Sequence, residues 1–158
     1  MAIEIFISRP TTIARRYEQH YEPFKRYLSH KGYRLRRLGE DDYTMDAPLK
    51  AVINLMKQCK GAVILGYPQF EVSSAISKGG SLDSSIGMIL PTPWNQIEAT
   101  LAFRQRIPVL VAAHRNVSGG IFDHGVTGEY VFTSDLGKKN WFRSSDFQGV
   151  FNEWQKRI

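Results

Sequence analysis

Glu98 is the residue whose type and position most need a chemical reason. It follows Thr92-Pro93, a hydroxyl cap and then a proline in the first turn, which together predict a helix running to about Gln105. At about 100° per residue, Trp94, Ile97, Leu101 and Ala102 fall on one arc, and Glu98 falls inside it. A glutamate is rarely buried without a partner. Either Glu98 belongs to a structural ion pair, with a cation from the loops at Arg9 or Arg115, or it faces a ligand from the mouth of a site. A lone carboxylate in such a mouth can stabilise a developing cation or capture it covalently.

The elements that must position Glu98 are strands alternating with helices. Ile3 to Ile7 reads as a buried strand. Thr11 and Thr12 offer caps for a helix with Ile13, Tyr17, Tyr21, Phe24 and Leu28 at helical spacing, and Pro23 should kink it or start a second one. Gly32 suits its C-cap, and Tyr33 to Leu38 alternates as a strand with one wet face, near a sheet edge. Next come an acidic loop from Gly39 to Met45 and a helix opened by Asp46 and Pro48. Ala62 to Leu65 is the most continuous apolar strand and should be central. The long Ser- and Gly-rich connection from Gln69 to Leu90 suits a lid. A strand at Val109 to Ala113, a glycine-bearing loop, a short strand at Tyr130 to Thr133 and a helix from Ser145 finish the chain.

That alternation predicts an α/β fold of about five mostly parallel strands flanked by helices, with right-handed crossovers. Ligands in such sheets bind beyond the carboxyl ends of the strands. Ser8-Arg9, Gly39-Glu40, Gly66-Tyr67 and His114-Arg115 begin the loops there.

Composition narrows the classes. A chain of 158 residues suits one domain, residues 1–158, and 42% apolar residues are enough to build its core. No apolar run approaches the length of a membrane span, and Met1-Ala2-Ile3-Glu4 lacks a secretory layout. A lone Cys59 forms no internal disulfide and fits a reducing cytoplasm; one thiol and four scattered histidines predict no metal site. The net charge of +6 is concentrated in the first quarter, from Arg15 to Arg37. That concentration is either a solvated face or a field for an anionic small molecule; with no nucleic-acid motif beside it, nucleic acid is not expected. Gly79-Gly80 lacks the Gly-Lys-Ser/Thr of a P-loop, and Ser8 lacks a Gly-x-Ser-x-Gly context.

The stretch Trp94-Asn95-Gln96-Ile97-Glu98 resembles the Trp-Cys-x-x-Glu helix start of TIR domains, with Asn95 where cysteine is usual, and Ile5-Phe6-Ile7-Ser8 is similar to their first strand. Glu98, Ala102 and Pro108-Val109 also keep the spacing of nucleoside 2-deoxyribosyltransferases. The transferases' Asp-x-Gly-Thr is absent: Ile89-Leu90-Pro91-Thr92 stands there instead. The resemblance covers strand one and roughly residues 61 to 115, about two fifths of the chain.

Both families imply a single flavodoxin-like (Rossmann-like) domain and one reaction type, cleavage of an N-glycosidic bond with a glutamate at the anomeric carbon. The resemblance therefore implies an N-glycosidase or ribosyltransferase acting on NAD or a related nucleotide or nucleoside, with Glu98 as catalytic carboxylate. It needs no cofactor, since NAD would be substrate. It also brings a defence or signalling role and a homo-oligomer into view. The alternative is a non-catalytic nucleotide-binding or protein-interaction module of the same fold. A cationic nicotinamide leaves without an acid, whereas a neutral base leaves better with one, for which Asp41, Asp42 and His114 stand unranked. Candidate substrate-binding residues each carry two readings. Ser8 and Arg9 bind ribose hydroxyls or phosphate, or form a plain turn. Tyr67 is a base platform or a packed loop residue, and Trp94 stacks on a base or joins the core. Asn95 bonds a sugar hydroxyl or caps the helix; His114 serves the site or is structural.

Overall fold

Gly61–Gly66 carries no polar side chain and every residue of it is buried, as a strand covered on both faces requires. In the computed structural model, which describes residues 1–76, 78–80 and 86–158, it forms β3, the middle strand of a five-stranded parallel sheet. The others are β1 (Ile3–Ser8), β2 (Tyr33–Arg36), β6 (Val109–His114) and β7 (Val131–Ser134), in the order β2-β1-β3-β6-β7. All four pairings are parallel. This is the flavodoxin-like doubly wound order, with its switch point between β1 and β3. The expected centre and edge of the sheet both hold: β2 is an edge strand, with Arg34 exposed and Arg36 half-buried.

Alternation along the strands sends side chains to two different layers. Val63 and Leu65 face an aromatic layer that holds Tyr17, Tyr21, Phe24 and Leu28 of α1 (Arg15–His30) and Phe147, Phe151 and Trp154 of α4 (Ser145–Gln155). Ala62 and Ile64 face an aliphatic layer of Val52, Leu55 and Met56 from α2 (Pro48–Met56) and Ala99 and Ala102 from α3 (Pro93–Arg104). Helices thus cover both faces. Among the described residues no helix is long and apolar enough to cross a membrane.

Two expected boundaries move, and Pro23 starts no second helix. The first helix starts at Arg15, after Ala14, with no side-chain cap; Thr11 and Thr12 are exposed, and the chain tucks Ile13 into the core before it coils. Pro23 lies within one continuous helix. It forfeits one backbone hydrogen bond, and burial of Tyr21 and Phe24 on either side of it keeps the helix intact. The second strand ends at Arg36, and Leu38 bridges to Asp42 instead.

The connection after β3 carries a two-stranded antiparallel ribbon, β4 (Phe70–Glu71) with β5 (Ile89–Leu90). The ribbon is tied to the loop after β6, where the Ser118 N–H donates to Ile89 O at 2.9 Å. Part of the expected lid, at residues 77 and 81–85, lies outside the described residues.

Candidate functional site

At the switch point β1 ends on Ser8, which is fully buried. The helix α3 crosses above it. Its start is fixed by Thr92, whose hydroxyl accepts the Asn95 N–H at 3.1 Å, with Pro93 in the first turn. The buried stripe of α3 is Asn95, Glu98, Ala99 and Ala102. Trp94 and Ile97, expected on the inner arc, are each 39% exposed. The physical reason is size: two alanines let the helix approach β3 closely, and the bulky side chains rotate outward. Glu98 is on the inner face, as expected, but its neighbours there are small or polar.

Three polar side chains meet beneath that helix. The Asn95 amide donates to Ser8 Oγ at 2.7 Å, and the Ser8 hydroxyl in turn donates to the Glu98 carboxylate. Only 7% of Glu98 is exposed, and Asn95 Oδ1 is buried without a partner among the described residues. Burial pushes the Glu98 carboxyl up to about 7; the Ser8 hydrogen bond, the charge of Arg37 and the Trp94 indole work against that rise without cancelling it. No ion pair to Glu98 forms among the described residues. Arg9 is taken by Glu18 at 2.9 Å, and Arg115 lies 3.6 Å from Asp135. The ion-pair reading of Glu98 is therefore corrected: its close partners are neutral donors, because both candidate arginines have carboxylates of their own.

Arg9 is built into the wall beside this cluster. Its guanidinium sits 4.2 Å from the Tyr21 ring centroid and donates to Glu18 and to Thr11 O, leaving Nε buried and without a partner among the described residues. Arg37, at the carboxyl end of the neighbouring edge strand, donates to Arg9 O at 3.4 Å and to Glu40 at 2.6 Å. In the sequence Arg37 is one of a basic run from Arg15 to Arg37. Its position one residue past β2, at the ligand edge, was the available signal.

Two other candidates do not join the cluster. Tyr67 is fully buried, with its ring 5.6 Å from that of Tyr17, so no open face remains on which a base could stack. It is a core residue because the chain leaving β3 turns inward under α1. His114 is also buried; Nδ1 accepts the Leu136 N–H at 3.2 Å and its ring packs edge-on against Tyr17. Burial lowers its basicity, against the pull of Asp135, whose carboxylate lies 3.6 Å from Nδ1. Asp42, an acid candidate, is engaged by Arg36; Asp41 is exposed, with its carboxyl pushed up by burial of the loop.

Gln96 is a site-building residue that sequence reading missed. Its carboxamide accepts the Ile121 N–H at 2.9 Å and donates to Gly119 O at 2.7 Å, tying the loop after β6 to the first turn of α3. Gly120, at φ +60°, leaves that carboxamide its room, since a Cβ there would collide with it. At the end of β3, a Cβ on Gly66 would come within 2.6 Å of the Phe122 ring, so glycine is what lets the same loop close on the sheet.

A carboxylate poised near neutrality has two uses. Ionised, it stabilises a cation; protonated, it gives up a proton. The Ser8 hydroxyl donates to Glu98 and accepts from Asn95, which fixes the orientation of the carboxylate. Among the described residues no group of three His, Cys, Asp or Glu side chains is placed to hold a metal ion. No family model matches the chain, and no curated protein sequence matches it either.

Proposed function

We propose that the protein cleaves the N-glycosidic bond of NAD or a related nucleotide or nucleoside, as a hydrolase or a ribosyltransferase, with Glu98 as the catalytic carboxylate. One observation carries the reading: a buried glutamate with no counter-cation among the described residues, held by a serine hydroxyl, at the switch point of a doubly wound sheet. Folding stability alone gives no reason to leave such a group unpaired. As the bond to the base lengthens, the sugar becomes an oxocarbenium-like cation, and an ionised Glu98 stabilises or captures it. A nicotinamide leaves as a neutral molecule and needs no acid. Ser8 and Asn95 orient the carboxylate, and exposed Trp94 is the stacking surface beside it.

The substrate is a small molecule rather than a nucleic acid. In the basic first quarter, Arg16, Lys25, Arg34, Arg36 and Arg37 each pair with a carboxylate, while Arg15, Arg26 and Lys31 are exposed and join no ion pair among the described residues; no nucleic-acid motif accompanies them. A reducing cytoplasm suits the single buried Cys59. A defence or signalling role and self-association rest on the family resemblance.

The test is incubation of the full chain with NAD, nucleosides and nucleoside monophosphates, with released base read by chromatography. Release by the native protein and its loss in Glu98→Gln supports the reading. Saturable nucleotide binding with no base released from any of these compounds moves the protein to the non-catalytic alternative.

A further inference from the structure

A cavity lies at the opposite edge of the sheet from Glu98. It is a cleft of about 600 Å³ between α4 and the amino ends of β6 and β7, within the usual size range of small-molecule sites. Val109 opens β6 and Tyr130 precedes β7, whereas Ser8 and Glu98 meet at the carboxyl edge. The cleft is thus separate from the site described above and independent of its function.

Gly149 gives the cleft its shape. It sits mid-way along α4, where glycine is a poor choice for a helix. The backbone does not require it, because Gly149 is not among the residues with positive φ. Packing does not require it either, since a Cβ there would meet nothing within 4 Å. Its effect is to leave the flank of α4 open over the cleft, beside Val150 and Trp154 and opposite the Tyr130 ring, which is 63% exposed.

Charge selects the occupant. The protein carries a net charge of +6, yet this cleft is lined by Glu129, Asp146 and Glu153 against a single arginine. Arg157 is engaged with Glu129 at 2.9 Å, and Glu153 has Lys156. Asp146, in the first turn of α4, joins no ion pair among the described residues. We propose that the cleft binds a small organic cation with a flat apolar body: the body lies on Tyr130 and Val150 over Gly149, and the ammonium pairs with Asp146. The Tyr130 face stacks against the flat body.

Two probes with the same ring and opposite charge test this, tryptamine and indole-3-propionate, followed through backbone amide shifts of the full chain. Tryptamine should shift Tyr130, Gly149 and Val150 saturably, and the propionate should bind at least about tenfold more weakly. Asp146→Asn should erase that difference. Gly149→Leu, which projects into open space on a helix that favours leucine, should block both probes with no fall in melting temperature. Equal affinity for the two probes, no binding of either, or binding that survives Gly149→Leu overturns the proposal. So does a dimer that Gly149→Leu disperses, because the occupant is then a second copy of the chain.

Discussion

Glu40 and Glu98 both feel the charge of Arg37, and their environments move them in opposite directions. Glu40 accepts from Lys25 on one oxygen and from Arg37 on the other, and these contacts hold its carboxyl below the ordinary range despite partial burial. Glu98 has the charge of Arg37 in its surroundings but only neutral donors in contact, and burial raises it to about 7. The same pattern continues outward from Glu40, where Arg36 binds Glu4 and Asp42. Cations at this edge are committed to carboxylates that brace the loop after β2, and among the described residues none pairs with Glu98. A carboxylate kept near neutrality in this way is available for chemistry, while a paired one is not.

The largest expected effect is on turnover. Glu98→Gln should lower base release by roughly three orders of magnitude or more while substrate still binds, because the lost charge acts as the cation develops. Undiminished turnover in a folded Glu98→Gln protein would remove Glu98 from the mechanism and with it the contrast with Glu40.

Stability should respond next, and in an unusual direction. The unfolded chain releases the Glu98 proton near 4.5, while the folded protein holds it to about 7. Between those values the folded state binds more protons, so stability falls as pH rises. The contribution is complete below 4.5, and about 3 kcal/mol of it is gone above 7. Glu98→Gln should flatten this slope and, at pH 8, melt no lower than the native protein. Denaturant unfolding across the window checks both points; a native protein whose stability does not fall between pH 5 and pH 7 would show that burial does not raise Glu98.

Ser8→Ala sharpens the comparison from the other side. Removing the hydroxyl takes away the closest group favouring the ionised form, so the carboxyl should rise further and the ascending limb of the activity profile should move to higher pH. Unchanged pH dependence with lower turnover would make Ser8 a packing residue only.

The smallest effect is expected at Glu40. Glu40→Gln should cost about 1 kcal/mol at neutral pH. Because the folded carboxyl is lowered, that contribution is present above the unfolded value and is lost as pH falls through the folded one. The freed Arg37 charge should also draw Glu98 downward, and carbon-13 titration of the Glu98 carboxyl would show the shift.

The sequence by itself determined the layers. Continuous apolar strands such as Ala62 to Leu65, helical spacing from Tyr17 to Leu28, and Thr92-Pro93 as a helix start are local signals, and the parallel sheet with β3 at its centre follows from them. Placing Glu98 on an inward arc was equally local, a consequence of helical period. What that arc holds was decided only in three dimensions. Whether Trp94 or Ala99 faces the sheet depends on how closely the helix can approach β3, and the space between elements is not encoded in the spacing of one helix. Arg9 illustrates the same limit: the sequence offers it as a partner for Glu98, and the fold gives it to Glu18 because that carboxylate, one helical turn into α1, is nearer. Tyr67 and His114 look available at the ends of strands, yet both are drawn inward against Tyr17. Burial of a loop residue depends on everything packed above it, and that is a property of the whole structure.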